Sequence, residues 1–255
     1  MLDRKKAMLR DLGIMLLNIL IAMVIGSIFI LLQHENPLRV YYYLIVYPFT
    51  TVGGLAKVLA KATPLIFTGL AALVCFRCQL FNVGVEGQIY LGALAGSLVI
   101  LFVPVPSAVL LLLLACLTAM LVGGLWAMLA GWLKVRFRVH EVISTIMLNY
   151  VATSIMTYAV VDHLKRADGN YSRTENFGVT FTKLMPPEQL NSGFFIALLA
   201  VVVIFLLMSY TPVGWRIDAA GKNLEAARFS GINSKRLILV AMAISGMLAG
   251  LCGIE

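Results

Sequence analysis

Polar residues are rare enough in this 255-residue chain that each break in its apolar runs is a place where chemistry could occur. The densest break reads Asn82-Val83-Gly84-Val85-Glu86-Gly87-Gln88. An ionisable group such as Glu86 is costly among apolar residues and marks a pathway when it persists there. Glycines on both sides of it would leave half-helix ends whose free backbone groups can meet a ligand. The same string also reads as a tight re-entrant turn capped by Asn82 and Gln88, and both readings stand. A second polar set follows in His140-Glu141 and continues to Asn149. Glu141, Thr145 and Asn149 are four apart and share one helical face. Glu141 there can serve a helix N-terminus, and Asn149 can bond to a neighbouring helix. Asn82, Glu86, Gln88, Glu141 and Asn149 are thus the candidates for a polar path or for its braces.

Other chemistries find no support. Cys75 and Cys78 have a metal-like spacing, but no second Cys/His pair lies near them in sequence, so they read as packing residues. A phosphate loop needs Gly, four residues, then Gly-Lys-Ser/Thr. Gly221-Lys222 is followed by Asn223, and Arg216 stands where the first Gly should be. No zinc helix or nucleophile elbow occurs. The sequence therefore offers no catalytic residue, no metal ligand set and no cofactor site.

The segment around Gly221, Pro212 to Arg236, is a third place of interest. Its Ala- and Glu-rich middle predicts a short helix from about Asn223 to Phe229, capped by Asn223 and stopped by Gly231. Small on one side and charged on the other, it suits docking into a groove on a partner. It is expected to lie outside the bilayer and to pack against no span.

The elements that must hold these residues follow from composition. The chain is 61% hydrophobic and 13% charged, with a mean hydropathy of +0.94. No soluble domain of this size buries that much apolar surface. Seven apolar runs approach the ~20 residues that cross a bilayer: 12–32, 62–79, 88–103, 108–133, 141–161, 193–211 and 237–254. The fold class is an all-α polytopic bundle. The first run is too long for a secretory signal and has no cleavage site. Basic residues cluster between spans, which argues against nucleic acid as a partner and sets orientation. With the N-terminus in the cytoplasm, thirteen basic residues lie inside and seven outside. Outside, residues 33–61 carry Tyr41, Tyr42, Tyr43 and Tyr47, with a stretch from Leu55 to Ala62 suited to the membrane surface. Residues 162–192 form the largest external loop and hold the sequon Asn170-Tyr171-Ser172. Small residues four apart, at Gly92 and Gly96, Gly123 to Gly131, and Gly246 and Gly250, predict close helix packing within the bundle. The last run stops at Glu255 without a polar tail, so a longer protein with further spans is expected.

Three stretches carry a family resemblance. Lys61-Ala62-Thr63-Pro64 to Leu70, Phe81 to Gln88, and Glu141 to Tyr150 resemble the nucleoside-type permeases. These belong to the ABC importer permease family that also serves simple sugars and branched-chain amino acids. Gly221 to Ile232 resembles that family's ATPase-docking loop, which points to Gly221, Asn223, Glu225, Ala226, Ala227 and Gly231 as docking residues. The Asn-x-Gly-x-Glu-Gly-Gln string leans towards nucleosides. The resemblance implies one transmembrane permease domain over 1–255, with a docking loop at 212–236, in a bacterial plasma membrane. It implies as partners an ABC ATPase, a second homologous permease, an external substrate-binding lipoprotein and membrane lipid. Such a subunit transports and does not hydrolyse ATP. A sugar-type permease and an ion-coupled secondary transporter are the competing readings.

Overall fold

The computed structural model describes residues 2–164, 174, 177–186 and 188–255, and side chains from Arg10 onward except Leu224. The sequon at Asn170 and the basic residues Lys165, Arg166 and Arg173 lie outside the described residues. Seven helices are long and apolar enough to cross a membrane, and no extended strand occurs among the described residues. The chain divides into two compact units, residues 1–58 and 59–255.

The first unit is dominated by α1 (Leu2–Leu32). Asn36 then caps α2 (Pro37–Tyr41) by accepting from the Leu38 N–H at 3.0 Å. A π-helical turn (Tyr42–Val46) leads to α3 (Tyr47–Thr50). The Tyr41 hydroxyl folds back on α1, donating to the Met23 carbonyl and accepting from Ser27 at 3.2 Å. Tyr42, Tyr43 and Tyr47 stack edge to face, the aromatic arrangement expected at a membrane interface.

Leu55 to Ala62 does not form a separate surface helix. It belongs to α4 (Val52–Arg77), which runs unbroken through Pro64. Proline removes one backbone donor and usually kinks a helix. Here the Thr68 hydroxyl bonds to the Pro64 carbonyl at 3.0 Å, one of the local adjustments by which apolar helices accommodate proline. Two lysines within one turn made this stretch look superficial in sequence, although the helix needs no break there.

The second unit adds α5 (Val85–Phe102), α6 (Ala108–Phe137), α7 (Glu141–Tyr158), α8 (Gly193–Tyr210), α9 (Pro212–Lys222), α10 (Leu224–Phe229) and α11 (Ser234–Ile254). Its centre is the contact of α5, α6 and α11. Gly123 and Gly246 face each other's backbone, and Gly250 lies against both the Ala119 carbonyl and Gly92. Lipid tails are as apolar as leucine, so helices in a bilayer associate through such close van der Waals contact. The lipid-facing side chains of the same helices, among them Leu113, Leu117, Leu121 and Leu125 of α6, are exposed.

The segment after α8 departs from expectation. α9 and α10 pack on the spans: Ile217, Ala220 and Ala227 join one buried cluster with Val74, Cys75 and Met242. Gly221 lies so close to the Arg77 carbonyl that no side chain fits between them. Arg77 Nη1 also reaches both Asp218 carboxylate oxygens, at 3.0 and 2.9 Å. The predicted docking loop is therefore half an exposed feature and half core. Every third or fourth residue from Ile217 is small or apolar, which seats one face of this short helical pair against α4 and α11.

Candidate functional site: a broken helix held by amide side chains

α4 ends at Arg77, and Gln79 takes the left-handed backbone conformation (φ 53°) that reverses the chain. Leu80 is buried and its N–H returns to the Cys75 carbonyl at 2.9 Å. The following residues re-enter the bundle before α5 begins at Val85. The Asn82 amide reaches Ser245, eleven residues along α11 from Ser234, or about 16 Å at the helical rise of 1.5 Å per residue. The start of α5 thus lies well inside the bundle, where an irregular backbone must have every polar group satisfied by protein or water.

Three side-chain amides satisfy it. Asn82 Oδ1 accepts from the Gly84 N–H at 3.0 Å and from Gln88 Nε2 at 3.1 Å. Asn82 Nδ2 donates to Gln88 Oε1 at 3.1 Å and to Ser245 Oγ at 2.9 Å. Those four bonds use the whole capacity of a primary amide. Asn149, on α7, clamps the same turn from the other side. Its Oδ1 accepts from the Gly87 N–H at 2.9 Å, and its Nδ2 donates to the Val83 carbonyl at 3.0 Å. Gly87 is in the first turn of α5, where backbone donors have no partner in the helix. Gly84 and Gly87 are glycine for space: a β-carbon at Gly87 would crowd Asn149 and Ala152, and one at Gly84 would crowd Gln88 and Thr145.

Glu86 is different. It points out of the packed core, exposed, and accepts from the Tyr90 hydroxyl at 2.9 Å. Its place in the first turn of α5 puts the carboxylate where the helix dipole favours negative charge. Glu141 stands apart from the amide cluster. It is the first residue of α7, buried, and ion-paired with Lys134 of α6. His140 Nδ1 lies 3.8 Å away. The five path candidates therefore fall into three amides that brace the broken helix, one open carboxylate, and one buried ion pair at the helix ends. Cys75 and Cys78 are buried free thiols, and no metal-binding cluster occurs among the described residues.

Sequence reasoning did not select Ser245 or Tyr90. A serine before a glycine in an apolar span reads as a small packing residue, so Ser245 gave no signal. Tyr90 follows Glu86 by four positions, and that spacing could have flagged it.

α10 is the short helix that follows α9. Asn223 Oδ1 accepts from the Glu225 and Ala226 N–H groups at 3.1 and 3.0 Å, and Gly231 with φ 78° ends the segment. Gly221 and Ala227 face inward, whereas Asn223, Glu225 and Ala226 are exposed. Phe229 is 94% exposed, an apolar ring on a polar helix. Nothing in the sequence pattern separated it from an ordinary helix-ending aromatic residue.

Comparison with known proteins decides the family. Residues 54–254 match the branched-chain amino acid transport system / permease component family. The chain belongs to this permease family. The permease is 32% identical over 256 residues to a glucose ABC transporter permease protein of Haloferax volcanii, covering 95% of this chain and 67% of that one. It is 35% identical over 201 residues to a guanosine ABC transporter permease protein of Bacillus subtilis, covering 77% and 58%. A nucleoside ABC transporter permease protein of Lactococcus lactis is 29% identical over 252 residues, covering 94% and 68%. The permease thus spans roughly two thirds of the length of these relatives. No solved structure matches it. Family and span count together make it a multi-pass transport subunit of the plasma membrane.

Proposed function

We propose that the permease forms the translocation path of an ATP-driven importer of nucleosides, with the opening of α5 as part of that path. The observation that carries this reading is the mid-bundle helix start, where Asn82 is fully occupied, Gln88 and Asn149 are bonded within the turn, and the Glu86 carboxylate with Tyr90 is left open. Transporters place such half-helix ends where substrate is bound. The acidic string and the guanosine- and nucleoside-transporting relatives favour a nucleoside as cargo. A second reading, import of a sugar, is supported by the relative named for glucose, which aligns over 95% of this chain.

In this scheme the N-terminus is cytoplasmic. An ABC ATPase docks on α10 through Asn223, Glu225, Ala226 and Phe229 and hydrolyses the ATP. A second permease completes the path, and an external lipoprotein delivers the substrate. Asn82, Gln88 and Asn149 act by holding the turn; Glu141 acts by fixing the α6–α7 corner.

The test is uptake of labelled guanosine by the assembled importer in vesicles, with glucose as competitor. A hydrogen bond to a charged group is worth roughly 1.5–3 kcal/mol. Glu86→Gln should therefore lower uptake roughly ten- to a hundredfold at equal membrane insertion and equal ATPase retention. Unchanged guanosine uptake in that variant removes Glu86 from the path. Strong competition by glucose, with none by other nucleosides, moves the cargo to the sugar class.

A further inference from the structure

The bundle holds a cavity of about 750 Å³ where the ends of α6, α7, α10 and α11 meet. Its rim carries five cations: Lys134, Arg136, Arg138, Arg228 and Lys235. The one acidic group in its lining, Glu141, is already paired with Lys134. Arg228 Nε donates to Ser234 Oγ at 3.0 Å, which aims its guanidinium along the rim. Arg136, Arg138 and Lys235 are exposed and carry no ion pair among the described residues. A concave site with this charge is built for an anion.

Two further observations describe that anion. The same lining holds the apolar Trp132, Val135, Val139 and Ile238. Trp132 is 46% exposed and stacks edge to face on Phe137, three residues along α6 from the exposed Leu129. Tryptophan at such a position marks headgroup depth. The occupant therefore meets both cations and apolar side chains. Arg138 adds the second point. It sits just past the end of α6 with φ 58° and ψ 25°, the left-handed position that helices usually give to glycine. A side chain there strains the backbone, and no ion pair or side-chain hydrogen bond of Arg138 within the described residues offsets the strain. A strained residue kept beside a ligand-shaped cavity is the pattern of a binding group.

We propose that this cavity binds the headgroup of an anionic phospholipid, its phosphodiester held by Arg136, Arg138 and Lys235 and its glycerol and upper acyl chain against Trp132 and Ile238. By the distribution of basic residues this is the cytoplasmic end, where anionic headgroups are abundant. The site is independent of the cargo. It sits beside α10, so the lipid braces the corner on which the docking segment rests.

The purified full chain in detergent micelles tests this, with phosphatidylglycerol, phosphatidylcholine and inorganic phosphate as probes and native mass spectrometry as the readout. One phosphatidylglycerol should be retained under conditions that strip phosphatidylcholine. Each basic residue near a headgroup contributes about a fivefold preference, so Arg138→Gly should lower retention about fivefold and the triple variant Arg136→Gln, Arg138→Gly, Lys235→Gln about a hundredfold. Arg138→Gly removes the backbone strain, so its unfolding midpoint in lipid-free micelles should be equal or higher. That result separates a lost ligand from a lost fold. Arg216→Gln, at the same end but outside the cavity, should leave retention unchanged. Equal retention of the two lipids, or an unaltered triple variant, overturns the proposal. Displacement of the lipid by inorganic phosphate would make the cavity a small-anion site. Loss of ATPase binding with lipid retention intact would make it an acidic partner's surface.

Discussion

Asn82 is worth more to the fold than Ser245, although each contributes to the same hydrogen bond. Replacing Asn82 by alanine strands the Gly84 N–H and the Gln88 amide in a buried place, and each unsatisfied buried group costs about 1–3 kcal/mol. Replacing Ser245 by alanine removes only one acceptor from an amide that keeps its other partners. Interhelical hydrogen bonds in membranes average ~0.6 kcal/mol. Asn82→Ala should therefore lower the unfolding free energy in mixed micelles by about 2–4 kcal/mol, and Ser245→Ala by less than about 1 kcal/mol. Equal losses would show that the cluster is not organised around Asn82. The need for these residues was legible in sequence, because amides and glycines stand out in apolar surroundings. Their division of labour was not. Which amide oxygen meets which N–H depends on three helices brought together by residues far apart in the chain, and no local pattern encodes that.

Between α9 and α11 the sequence pattern located the helix but misjudged its surroundings. The Asn223 cap and the Gly231 stop are local chemistry and lie where expected. Burial is a tertiary matter, and Ala227 is 4% exposed within the core cluster. A large residue at Ala227 would overfill that cluster, at a cost of about 1–3 kcal/mol, so its failure would report on folding rather than on docking. Phe229 is the informative position. It touches little of its own chain, so Phe229→Ala should leave the unfolding midpoint unchanged. A buried aromatic anchor at an interface contributes about 2 kcal/mol or more, so retention of the ATPase should fall about thirtyfold. Full ATPase retention by Phe229→Ala would place the coupling contact elsewhere. The Arg77–Asp218 pair and the Gly221–Arg77 backbone contact give the segment a direct connection to α4, one turn before the broken helix. In the proposed scheme a tilt of α9 would reach the chain entering Asn82 through these contacts.

At the scale of the whole molecule, hydropathy revealed the seven spans found among the described residues because the bilayer permits few alternatives to helices, and the spans then needed a reason to associate. The glycines supply it, and their positions separate seam from surface. Gly250 of α11 faces the Ala119 carbonyl of α6, and Gly92 of α5 faces Gly250 in turn. A methyl added at Gly250 meets the Ala119 carbonyl and the Gly123 Cα, all backbone with no flexible side chain to displace, so α11 must move away from α6. Overpacking of this kind costs about 1–3 kcal/mol. Looser van der Waals packing along the rest of the seam adds to that cost, since no hydrophobic force compensates in lipid. Gly69 of α4 lies in open space with nothing near its hypothetical β-carbon. Alanine there gains about 0.5–1 kcal/mol of helix preference over glycine. Gly250→Ala should therefore lower the unfolding midpoint of the purified chain and broaden its size-exclusion peak, while Gly69→Ala should raise the midpoint slightly. Both substitutions add the same methyl group to a helix of similar hydropathy, so hydrophobicity alone predicts the same outcome for both. A Gly250→Ala protein as stable as the parent would mean that α5, α6 and α11 are held by something other than their small-residue seam.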